Sequence, residues 1–184
     1  MINFFVSIFE EFSFLVSAPF LFPNMLWIVV PIVILIFLLT FYFTEYANEK
    51  YGWDDAFTNS IALFFVCIDS LRYMYNYTEP ASLDNLFLYP YQLIFILFIM
   101  LEGLVMTYSS LKHKLPNSLR KFITTPLGVY IQMYLLIVLV YTKINPTLIT
   151  LVAALLLFGC MYIILLQFSS YIRTRVMHVE DIDS

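Results

Sequence analysis

Three ionisable side chains stand inside otherwise apolar stretches of this sequence: Asp69, Arg72 and Glu102. A charge in hydrocarbon costs about 2.5–3.5 kcal/mol on insertion scales, so each one needs a partner or a task. Asp69 and Arg72 are three residues apart, a spacing that lets them pair on one helix. As a functional unit they would form a gate, or a proton or ion site. As a structural unit they would be a self-neutralised pair at the membrane boundary, with the long Arg72 stem snorkelling to water. Glu102 has no basic residue within its own apolar run. It must be protonated, paired across helices or facing water. Its functional reading is a proton-relay or cation-binding carboxylate. Its structural reading is a neutral acid hydrogen-bonded to a neighbour such as Tyr108 or Gln132. These three residues are the candidate intramembrane polar site.

Other polar groups carry less chemistry. Asp54 and Asp55 are adjacent at the start of a helical stretch. They would hold a divalent cation on a lipid headgroup, or simply sit where the helix dipole favours negative charge. Lys112, Lys114, Arg120 and Lys121 interleave with Leu119, Phe122 and Ile123. This run is a candidate contact for anionic lipid, worth roughly 1 kcal/mol per basic residue. It is equally the signal that fixes which side of a membrane a loop occupies. Cys67 and Cys160 each lie in an apolar run and read as buried thiols. His113 and His178 lie far apart, so no metal site and no cofactor is expected. The patterns HExxH and GxSxG and the phosphate-binding loop are absent, in a chain with only 4 glycines. The acids are too scattered to nominate a catalytic pair, and no enzyme activity is expected.

Such isolated charges matter because of their surroundings. Of 184 residues, 62% are hydrophobic and 12% charged. A soluble domain carries about a quarter charged residues. Half that amount cannot coat a surface facing water, and the mean hydropathy of +0.88 agrees. Lipid is the simplest replacement for the missing polar surface. The net charge of −4 offers no basic face for nucleic acid, which is discounted as a partner. The expected partners are the lipid bilayer and, through helix contacts, a second copy of the chain or other membrane subunits.

The expected fold is all-α: a polytopic transmembrane bundle of about five membrane helices, plus an interfacial N-terminal helix. Residues 1–23 lack a basic leader and are read as retained. Glu10 and Glu11 interrupt this phenylalanine-rich segment, making it too broken to cross a bilayer. It suits an amphipathic helix on the surface or one packed on the bundle. The transmembrane domain covers 24–172, with spans near 25–44, 53–74, 85–110, 126–143 and 146–168. Residues 173–184 form a polar tail.

Local signals set the span boundaries. Asn24 is a good cap for the first span, and Pro31 should kink it. The second is ambiguous, because its uncharged part, Ala56 to Ile68, is short for a crossing and also suits a re-entrant segment. Asp55, Asn59, Ala62, Val66 and Asp69 share one face of it, which should turn toward other helices. Pro90 fits a first turn, or bends the third span if that begins earlier. Thr125-Pro126 and Asn145-Pro146 read as start signals, and the short connection between the last two spans makes them an antiparallel hairpin.

Six of the nine Lys and Arg residues fall between spans three and four or after span five. That side is expected to be cytoplasmic, placing the 111–122 loop and the C-terminus on the cytoplasmic face of a cell membrane. Asn76-Tyr77-Thr78 matches the N-glycosylation pattern on the opposite side. The functional expectation is a non-enzymatic structural, assembly or accessory membrane component. The alternative is a small ion or solute channel or transporter using Glu102, Asp69 and Arg72, and a lipid-acting enzyme near Asp54 and Asp55 is a third.

Overall fold

A computed structural model describes residues 2–45, 53–112 and 126–180. Without water, every backbone N–H and C=O must find its partner within the protein, and a helix does this inside one segment. The described residues are accordingly mostly α-helical, with no strand among them. The helices are α1 (Ile2–Leu21), α2 (Leu26–Glu45), α3 (Trp53–Tyr75), α4 (Pro90–Lys112), α5 (Pro126–Thr142) and α6 (Leu148–Glu180). The stretches Phe4–Leu21, Pro23–Tyr42, Pro90–Lys112 and Leu148–Ile172 are each long and apolar enough to cross a membrane. Leu127–Thr142 is a shorter apolar helix.

Helix α5 fills the centre. Met133, Leu136, Ile137 and Val140 are fully buried, and α1, α2, α3, α4 and α6 all contact this helix. Its central place is a matter of packing, since the equally apolar α2 lies at the periphery with Val30, Ile34 and Leu38 exposed. The outer helices instead expose large apolar side chains such as Phe9, Leu38, Phe65, Leu101 and Leu155. That surface needs an apolar solvent.

Helices α3 and α4 pack antiparallel. The Cys67 thiol faces the Ile96 carbonyl at 3.8 Å, and Thr107 Oγ1 lies 2.9 Å from Ser60 Oγ. Between these contacts, Phe64 packs where Gly103 has no side chain. The α3 face predicted to turn inward does so at Asn59 and Val66, which are buried, while Phe57, Ile61 and Ile68 are exposed. The helix is unbroken over 23 residues, or about 34 Å at the usual rise. It is not among the stretches apolar enough to cross by length and composition, in keeping with the polar stripe on its inner face.

The structure corrects several boundaries. The N-terminal segment is long and apolar enough to cross despite its two glutamates. It packs on α6 and α5, with Leu15 and Ala18 buried. Thr150 donates to Glu11 at 2.8 Å, so this acid is met by a helix partner rather than needing water. Helix α4 starts at Pro90, and Leu83–Phe87 is a separate 3-10 turn. Proline in the first helical turn lacks only an N–H that would have had no helical partner. The start of α6 is set by Thr147, not by Asn145-Pro146. Thr147 Oγ1 accepts the Thr150 N–H at 3.1 Å and Thr150 Oγ1 accepts the Thr147 N–H at 3.3 Å, a reciprocal cap. Helix α6 continues to Glu180, through most of the predicted tail. Cys160 is exposed, unlike Cys67.

Candidate functional site

The first polar cluster is built where α2, α3 and α5 meet. Arg72 Nη2 and Nε donate to Asp69 Oδ1 at 2.6 and 3.1 Å, as the three-residue spacing allows. Tyr141, on α5, donates to the other carboxylate oxygen at 2.6 Å. Its ring stacks on Tyr73, with centroids 3.8 Å apart. The Asn76 amide donates to the Arg72 carbonyl at 2.7 Å, closing the last turn of α3. The sequence linked Asp69 to Arg72 but not to Tyr141, which is 72 residues away. Its place at an aromatic-marked span end was the only available signal. Asn24, in the turn before α2, and Trp27 and Ile28 from α2 form the opposite wall of a cleft of about 380 Å³.

Next to this cluster, the tyrosines continue toward the α5–α6 turn. Tyr73 meets Tyr77 edge-on, and Tyr77 meets Tyr89 in the same way. Lys143 Nζ lies 4.3 Å from the centre of the Tyr77 ring and 5.8 Å from that of Tyr89. Lys143 takes φ of 59°, a left-handed conformation that ends α5 and aims its side chain at those rings. Tyr77 also donates to the Val140 carbonyl. Burial, followed by the neighbouring phenols, pushes the Tyr77 hydroxyl above its usual range. Gln92 is buried and donates to the Ile144 carbonyl at 2.8 Å, tying α4 to the same turn.

The second cluster is Glu102 with Gln132. With the Gln132 nitrogen facing α4, the amide donates to both carboxylate oxygens at 3.1 and 3.2 Å. This is one of the two neighbours the sequence nominated; Tyr108 points outward and is exposed. Glu102 is half-buried and opens onto a groove of about 460 Å³. Apart from Glu102 and Gln132 its walls are apolar, including Val129, Leu135, Leu155 and Phe158.

The two clusters do not meet. Their α5 anchors, Gln132 and Tyr141, are nine residues apart, about 13 Å along the helix. They also open on different sides, one beside α2 and the other beside α6. Fully buried side chains of α5, including Leu136 and Ile137, lie between those anchors. Lys112 is exposed at the end of α4, whereas Lys114, Arg120 and Lys121 lie outside the described residues. The side chains of Asp54 and Asp55 also lie outside them.

Comparison with protein families, curated proteins and solved structures finds no match for this chain.

Proposed function

We propose that this chain is a multi-pass protein of the cell membrane that works without catalysis. It serves as a structural, assembly or accessory component through helix contacts with another copy or with other membrane subunits. One observation carries this reading: the two polar clusters are closed on partners within the bundle and open into separate grooves. A conduction path needs polar groups strung through one lumen. Here the centre of the bundle is the apolar helix α5. The exposed apolar faces of α4 and α6 suit lipid or neighbouring helices. The basic residues around Lys112 put the 111–122 loop and the C-terminus on the cytoplasmic side.

Extraction in a mild detergent, followed by mass measurement of the native particle, tests the proposal. A stable oligomer or a co-purifying membrane subunit is the expected result. A strictly monomeric, partnerless particle would overturn it. The transport reading keeps one support, the opening of the Glu102 carboxyl onto a groove. It requires proton or solute flux in proteoliposomes that Glu102→Gln alters.

A further inference from the structure

The cleft beside α2 contains more than a neutralised ion pair. Asp69 engages two of the five N–H donors of the Arg72 guanidinium, at 2.6 and 3.1 Å. The remaining donors lie on a side chain that is 70% exposed. Asp69 is itself only 18% exposed, and Tyr141 holds its second oxygen. The guanidinium is therefore fixed in orientation while its outer edge stays open. A fixed planar fork of N–H donors suits phosphate oxygens. Across the cleft, Trp27 is 85% exposed, and its indole nitrogen can only donate. An acceptor-only ligand such as a phosphodiester matches these donors.

A second observation indicates that this phosphate belongs to a lipid. Trp27 sits near the start of the apolar stretch Pro23–Tyr42, at the depth where indoles mark a membrane boundary. From Trp27, the exposed residues Val30, Ile34 and Leu38 follow along one face of α2 at helical spacing. Val30 and Ile34 also line a separate apolar groove of about 400 Å³ shared with α1, α5 and α6, so this exposed face runs from Trp27 toward that groove.

We propose that the cleft is a phospholipid site, in which the outer edge of Arg72 and the Trp27 indole hold a headgroup phosphate while an acyl chain lies along Val30, Ile34 and Leu38. This inference needs the membrane setting but not the assembly role.

The chain has 2 tryptophans, so a Trp53→Phe background leaves Trp27 as the sole indole reporter. Purified protein in a maltoside detergent is titrated with dioctanoyl phosphatidylglycerol while indole emission is followed. Dioctanoylglycerol and inorganic phosphate serve as parallel probes. The expected result is a saturable change with the phospholipid, at least about tenfold weaker with dioctanoylglycerol, since charge-assisted hydrogen bonds are then lost. Inorganic phosphate, which lacks the chain, is expected to produce no change over the same range. The paired variant Asp69→Asn/Arg72→Gln keeps the cleft neutral and should weaken phospholipid binding about tenfold. Arg72→Lys keeps the charge beside Asp69 but loses the fork, and should weaken it about threefold. Equal affinity for dioctanoylglycerol, or unchanged affinity in folded forms of both variants, would overturn the phosphate contact. Equal affinity for inorganic phosphate would overturn the lipid source.

Discussion

Glu102 and Gln132 show how a single acid can persist in an apolar wall. The carboxyl faces a groove with almost no other polar atoms, so its stability depends on the amide 3.1–3.2 Å away. Removing the amide leaves the half-buried carboxyl without its partner. Gln132→Leu should therefore lower stability by about 1 kcal/mol, the size found for hydrogen bonds between membrane helices. Glu102→Gln keeps a hydrogen-bonding group there and should shift stability by less than about 0.5 kcal/mol. Thermal unfolding of the purified variants in detergent checks both. A larger loss for Glu102→Gln than for Gln132→Leu would contradict this assignment. The acid was legible from sequence because it stands alone in an apolar run. Its choice of Gln132 over Tyr108 was not, because helix packing decides which neighbour faces it.

At the scale of elements, α5 and α4 have comparable apolar composition but opposite surroundings. Leu136 on α5 is fully buried, while Leu101 on α4 is 58% exposed. In water both leucines would gain from leaving solvent, but in lipid that gain largely vanishes and only packing distinguishes them. Leu136→Ala opens a cavity among α5 and its neighbours, at a cost of about 2 kcal/mol, the low end of the range for such truncations. Leu101→Ala exchanges contact with lipid for slightly different contact with lipid and should change stability by less than about 0.5 kcal/mol. Unfolding titrations of the two variants compare them directly, and equal losses would remove α5 from its central place. Hydropathy alone did not reveal this difference. In α3 the sequence was more informative, because its polar stripe had to turn inward wherever the surroundings are apolar.

Across the whole molecule, the connections fix which ends lie together. Gln92, near the start of α4, is tied to the α5–α6 turn by its bond to Ile144. Helix α4, 23 residues long in all, ends at Lys112 at the far end. Lys143 and Lys112 thus lie at opposite ends of the bundle. Cysteines introduced singly at these positions, in a Cys160→Ser background, should react with a membrane-impermeant maleimide from opposite sides of sealed vesicles. Labelling of both from one side would show that the intervening helix does not cross. The Tyr73, Tyr77, Tyr89 and Lys143 cluster lies at the Lys143 end, beside the proposed phospholipid cleft.

The amino-acid sequence determined the apolar character, the helical class and most helix positions, because these follow from the amount of apolar surface and from local start and stop signals. It also identified Asp69, Arg72 and Glu102, since isolated charges are conspicuous in apolar runs. It read the N-terminal helix as broken by Glu10 and Glu11, whereas the segment is long and apolar enough to cross and Thr150 meets Glu11. Only the tertiary structure decided that α5 is central, that Tyr141 completes the Asp69 pair, and that the two polar clusters face different grooves. Those outcomes depend on which helices touch and how each is turned about its axis. Several apolar helices of similar composition can exchange places with little change in local energy, so pattern alone does not specify their arrangement.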